Sequence, residues 1–194
     1  MVSLSEVSLN EFRESLKQKD VRSIQIIYFA IAMGVLSFML IIYVLYLKQG
    51  VVEPNNEILS VLNIMTWFNL LLTFSMIYIG KFVSERQYSK SSLEKAVYKK
   101  FPGQILRNVN FTPAQKCLMI IRTASIIRLA ALEAPAFFGL VTLILWVFNG
   151  EVHNAPIYLV NLLSTVPLFV YVIVNFPNKE KLVEIFQSKI QGSV

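Results

Sequence analysis

Little in this 194-residue sequence can carry charge, and almost nothing in it can hold a metal or form a disulfide. Charged residues make up 15% of the chain, against about a quarter in an average soluble domain. The single cysteine, Cys117, excludes an intramolecular disulfide and any cysteine-based metal cluster. The single histidine, His153, stands alone between two apolar runs and is expected to be solvated. No glycine-rich phosphate loop occurs, and no nucleophile and base lie at a spacing that marks catalysis. Metal, cofactor and enzymatic activity are therefore not expected.

What the chain has is apolar surface: 55% of its residues are hydrophobic and its mean hydropathy is +0.58. About 20 apolar residues are needed to cross the ~30 Å hydrocarbon core of a bilayer. Four runs reach or approach that length: 24–47, with one amide at Gln25; 58–80, with Asn63 and Asn69; 129–148, with Glu133; and 157–176. In hydrocarbon each backbone polar group must pair within its own segment, so these runs are expected as helices. The first is too long, and its preceding arm too mixed in charge, for a signal peptide. The chain therefore reads as an all-α, four-transmembrane-helix bundle with amphipathic cytoplasmic helices.

Positive charge sets an orientation. Arg13, Lys17, Lys19 and Arg22 precede the first run. Nine more Lys and Arg, from Lys81 to Arg122, lie between the second run and the third, and Lys179, Lys181 and Lys189 follow the fourth. The other two connections contribute only Lys48. The positive-inside rule then puts both termini and the central segment in the cytoplasm. The net charge of +6 is mostly this topology signal, with attraction to anionic lipid second. It is not a nucleic-acid footprint, because no basic face carries interleaved aromatics.

Five sections follow: an arm (1–22), a transmembrane hairpin (23–82), a basic cytoplasmic segment (83–116), a second hairpin (117–177) and a tail (178–194). Ser8-Leu-Asn-Glu11 fits a capping box, in which Ser and Glu satisfy free backbone donors reciprocally, and Leu9, Phe12 and Leu16 then share a face. Ser91-Ser-Leu-Glu94 is a second box, predicting a short helix over 92–101 with Leu93, Ala96, Val97 and Phe101 as its stripe. Thr112-Pro-Ala-Gln115 opens the third long helix, which extends back to 113. The tail sets Leu182, Ile185, Phe186 and Ile190 on one side. Two destinations fit these stripes: the lipid headgroup region, or each other at the cytoplasmic end of the protein.

Residues 128–148 read RLAALEAPAFFGLVTLILWVF and hold the one acid inside an apolar run. Glu133 falls about 7.5 Å deeper than Arg128 at 1.5 Å per residue. Pro135 cannot donate to the carbonyl of Ala131, so a kink is expected there, with the freed carbonyl near the carboxyl. Arg128 and Glu133 are five apart and share no face unless the helix bends. Asn175, near the inner end of the fourth run, is the partner that depth favours most. Asn63, Thr66, Asn69, Thr73 and Asn161 are further candidates. Glu133, Arg128 and Asn175 thus form a candidate intramembrane polar or ion site. One reading is structural, a hydrogen bond that sets helix register. The other is a protonatable or cation-binding group.

The stretch ALEAPAFFGLV resembles the ion-binding helix of the rotary ATP synthase c subunit. That likeness is local and reads as convergence: no glycine-repeat helix precedes it, and the acid is on the third run. A broader pattern is IIRLAALEAPAFFGLV in the third run, Asn149-Gly150 at its exit, and FPNKEK after the fourth. It resembles a group of small, uncharacterised bacterial four-span inner-membrane proteins. Arg128, Glu133, Pro135, Phe137, Pro177, Lys179 and Lys181 carry the resemblance. It implies a fold and a bacterial inner-membrane setting, and no activity. The expected function is a non-enzymatic subunit or scaffold of a membrane complex, with lipid and protein partners or self-association. The alternative is a proton- or cation-translocating oligomer using Glu133.

Overall fold

The computed structural model describes residues 4–48, 56–98, 101, 110–150 and 156–193, and every element among them is helical. A 3-10 turn (Leu4–Glu6) leads into α1 (Leu9–Ser15), α2 (Gln18–Lys48), α3 (Asn56–Arg86), α4 (Lys90–Tyr98) and α5 (Pro113–Phe148). A ten-residue 3-10 helix (Pro156–Thr165) then continues as α6 (Val166–Val174). The chain closes with α7 (Lys179–Ile185), a π-helical turn (Phe186–Ile190) and a 3-10 turn (Gln191–Ser193). Four of these helices are long and apolar enough to cross a membrane: α2, α3, α5 and the continuous Pro156–Val174. His153 lies outside the described residues.

Local chemistry explains where the helices begin. The Ser8 hydroxyl accepts from the Glu11 N–H (3.2 Å) and the Glu11 carboxylate accepts from the Ser8 N–H (3.1 Å), a complete capping box on α1. α5 opens the same way. The Gln115 N–H donates to the Thr112 hydroxyl at 3.3 Å, and the Thr112 N–H to the Gln115 side chain at 3.1 Å. Pro113 holds the first helical position, where no donor is needed. Asn178 caps α7 by accepting from the Lys181 N–H at 2.7 Å.

At α4 the expected cap is displaced. A turn over Gln87–Ser89 follows α3 closely, and the helix starts at Lys90, so Ser91 lies inside it. Ser89 precedes the first turn: its carbonyl accepts from the N–H groups of Ser92 and Leu93, both at 2.9 Å, and its hydroxyl donates to that of Ser92. The predicted end of this helix at 101 falls beyond residues 99–100, which lie outside the described residues.

The chain divides into two compact units. The first comprises Met1–Tyr28, Lys81–Arg128 and Asn175–Val194. Its core is apolar: Phe12, Leu16, Leu93, Ala96, Ile121, Leu182, Phe186 and Ile190 are all buried. The Phe12 and Phe186 rings stack at 4.2 Å, which joins the arm to the tail. The Gln191 side chain donates to the Val7 carbonyl, the Lys116 ammonium to the Val97 carbonyl, and Gln25 to the Pro177 carbonyl. Of the two destinations open to the amphipathic stripes, this unit takes the second, since they bury one another. Burial, and behind it the neighbouring Tyr28 phenol, holds the Tyr88 phenol well above its ordinary pKa.

The second unit comprises Phe29–Gly80 and Leu129–Val174. Here the usual arrangement of faces is reversed. Along α3, Ile64, Trp67, Leu71, Phe74 and Tyr78 are exposed, and Trp67 reaches 70%. The opposite face buries Leu62, Thr66, Asn69 and Thr73. The two stripes each recur at spacings of three and four, so one helix sends its aromatics outward and its amide and hydroxyls inward.

Candidate functional site

The inward polar side chains of the second unit converge on the 3-10 helix. A 3-10 helix has three residues per turn, so residues i, i+3 and i+6 stand in one straight column. Tyr158, Asn161 and Ser164 occupy such a column, and all three are buried. An α-helix would rotate each successive member by about 60°. The tighter winding is what lets one face of this segment carry all three polar groups.

Asn161 is the centre. Its Oδ1 accepts from Asn69 Nδ2 of α3 at 3.0 Å. Its Nδ2 donates to the Thr66 hydroxyl at 2.9 Å and to the Tyr158 carbonyl at 3.0 Å. Its carbonyl accepts from the Ser164 hydroxyl at 2.7 Å. Above and below, the Tyr158 hydroxyl donates to Asn63 Oδ1 at 2.9 Å, and the Thr73 hydroxyl to the Asn69 carbonyl at 2.7 Å. The network therefore ties α3 to the 3-10 helix at three levels: 63 with 158, 66 with 161, and 69 with 161.

α5 closes the third side through a residue with no side chain. A Cβ built on Gly139 would lie 2.4 Å from the Ser164 hydroxyl, 2.6 Å from the Asn161 carbonyl oxygen and 2.6 Å from Asn69 Nδ2. None of these separations is possible for a real carbon, and the carbonyl cannot move without its helix. Gly139 thus lets the α5 backbone press directly on the amide cluster. Small residues at helix contacts in lipid permit the same approach.

The chemistry of the site is that of neutral dipoles. Among the described residues it contains amides, hydroxyls and a phenol, with no carboxylate, ammonium or imidazole. Ser164 donates to a backbone carbonyl, and no base that would activate it appears among these contacts. Among the described residues no three metal-ligating side chains gather. Asn69 Oδ1 receives no donor among the described residues, so one lone-pair site of the cluster stays open.

The residues singled out from sequence fall elsewhere. Pro135 is buried within α5, which remains one element from Pro113 to Phe148. Glu133 belongs to the second unit and is partly exposed. It makes no hydrogen bond or ion pair among the described residues. Arg128 and Asn175 belong to the first unit, and neither is without a partner. Asn63, Thr66, Asn69 and Asn161, read above as possible partners of Glu133, are bonded instead into the network described here. Gly139 and Ser164 were not marked in the sequence. The available signal was a glycine in the third run and a three-residue repeat of polar groups in the fourth. In comparisons with family models, curated proteins and solved structures, no match to this chain was found.

Proposed function

We propose that this chain is an integral membrane protein that crosses the bilayer four times, by α2, α3, α5 and Pro156–Val174. In this reading it serves as a non-enzymatic subunit or scaffold of a membrane complex. The observation that carries the proposal is the reversed polarity of α3, with Trp67, Leu71 and Phe74 outward and Thr66, Asn69 and Thr73 inward. Burying those aromatics against acyl chains removes apolar area from water at about 25 cal/mol per Å². The inward amides find donors and acceptors that hydrocarbon would deny them. The Lys and Arg distribution supports cytoplasmic termini. The resemblance noted in the sequence favours a bacterial inner membrane. A site built of neutral hydrogen bonds, all but the Asn69 Oδ1 acceptor paired among the contacts described, supports a structural role for the bundle core.

Glu133 supports a second reading, proton or cation transfer in an oligomer. The observation is that no group among the described residues pairs with its carboxylate. Purification of wild type and Glu133→Gln from native membrane separates the two. A protein that co-purifies with both, with no proton flux in liposomes, is the scaffold outcome. Flux present in wild type and absent in Glu133→Gln would replace it with transfer.

A further inference from the structure

Within the second unit, α2 and α5 run side by side in the same direction. The Phe38 and Phe137 rings meet edge to face at 5.7 Å, and further along both helices Tyr46 and Trp146 lie 6.3 Å apart. Glu133 precedes Phe137 by one helical turn and shares its face. Gly34 stands in the same relation to Phe38, so the carboxyl of Glu133 is level with Gly34. A carbon added to Gly34 would meet the tip of the Phe137 ring at 3.9 Å and nothing nearer. Gly34 and Ala30, one turn before it, are exposed, as are Ala130 and Ala134 before and after the acid. Trp67, Leu71 and Phe74 make the outward face of α3 bulky. Beside Glu133 the outward side chains are small, and another helix can approach both backbones.

The carboxyl itself limits what can fill this gap. It is partly exposed and has no hydrogen bond or ion pair among the described residues. In hydrocarbon a carboxyl left so is costly, and a partner that bonds it is favoured. The four apolar runs hold no Lys, Arg or His, so a second copy offers no cation within them. It does offer the same acid. Copies inserted in one orientation are related by an axis along the bilayer normal, and each residue then meets its partner surface at its own depth. A carboxyl that carries its proton both donates and accepts, so two such groups satisfy each other without a third.

We propose that two copies of this chain associate through the gap between α2 and α5, with their Glu133 carboxyls hydrogen-bonded to each other across a two-fold axis. The contact is isologous and closes at two copies. It rests on the membrane reading given above and holds whether the bundle is a scaffold or a conductor.

The test is cross-linking in native membranes with a short bifunctional thiosulfonate. Ala134→Cys places a thiol on the proposed face, and Leu71→Cys places one on the outward face of α3. The expected result is a dimer from Ala134→Cys and none from Leu71→Cys. Adding Glu133→Leu to Ala134→Cys should lower the cross-linked fraction about tenfold at low expression, the effect of two ordinary interhelical hydrogen bonds. Glu133→Gln should keep it, since an amide also donates and accepts. Glu133 has no partner within the described chain, so Glu133→Leu removes no bond from the monomer. Gly34→Leu, which fills the gap from α2, should lose the dimer too. No dimer from Ala134→Cys, an equal dimer from Leu71→Cys, or an undiminished one with Glu133→Leu would overturn the contact. A cross-link from Ala134→Cys to a different polypeptide would overturn it as well, and give this face to a foreign partner. Release of the wild-type protein from membranes by alkaline carbonate would overturn the membrane reading, and the contact with it.

Discussion

At the residue scale, one hydrogen atom in place of a methyl group decides whether three helices can meet. Gly139→Ala drives a carbon into the Asn161 carbonyl and the Asn69 amide, and helix displacement is the only relief. Overpacking of this kind costs about 1–3 kcal/mol. The expected outcome is a fall in the detergent unfolding midpoint for Gly139→Ala and almost none for Gly34→Ala, whose added carbon would come no nearer than 3.9 Å to Phe137. The sequence makes the polar positions legible but not their pairing. Asn69 and Asn161 stand out in apolar runs, and the acid at Glu133 draws them to itself on depth alone. Depth along a helix can be counted from residues. Rotation about the helix axis depends on which neighbour each face meets, and residue order does not contain it.

At the scale of the element, the winding of Pro156–Val174 bears on whether it is long enough for the crossing proposed for it. Nineteen residues of α-helix reach about 28 Å, just short of a hydrocarbon core. Winding the first ten as 3-10 helix adds about 0.5 Å per residue. Spin labels at Ile157 and Val174, both on the exposed face, should therefore lie about 30 Å apart along the axis, against about 26 Å for a continuous α-helix. Electron spin distance measurement in nanodiscs resolves the two. Composition predicts a helical span at 157–176 and is silent on its winding, because the same apolar residues suit both forms. The preference becomes visible only with α3 and Gly139 in place, when the column of Tyr158, Asn161 and Ser164 finds its partners. The earlier start of α4 has a similar origin: several serines qualify locally, and the turn leaving α3 sets where the helix begins.

On the scale of the whole molecule, the two units differ in what their surfaces carry, and the proposed membrane reading assigns them opposite solvents. The first buries the apolar stripes of its short helices and leaves Lys and Glu outside, as at the surface ion pairs Lys181–Glu184 and Lys189–Glu85, although Ile26, Phe82 and Tyr98 stay exposed. Phe12→Ala removes a fully buried ring from its stack, at about 3–5 kcal/mol. Amide hydrogen exchange should then rise in both α1 and α7, although only α1 carries the change. A rise confined to α1 would mean that arm and tail are energetically independent. Orientation has its own measurement. Cys117 is buried and should resist maleimide until denaturant is added. Against that silent background, Lys48→Cys should react with an impermeant maleimide from outside intact cells, and Ser188→Cys only after lysis. Labelling in the reverse sense would invert the topology. The basic residues are the sequence signal behind this proposed orientation. The amphipathic stripes left lipid and self-packing equally open, since a stripe shows that a face will be covered and not by what.

The column in the 3-10 helix also restricts how this chain can change in length. Each residue there turns the backbone through about a third of a circle. Losing or gaining one between Tyr158 and Ser164 would swing one end of the column away from α3 and bring an aliphatic side chain round in its place. Only a change of three returns the same bearing. Insertions and deletions tolerated in this segment should therefore come in multiples of three, a constraint that no α-helical span of equal hydrophobicity would impose.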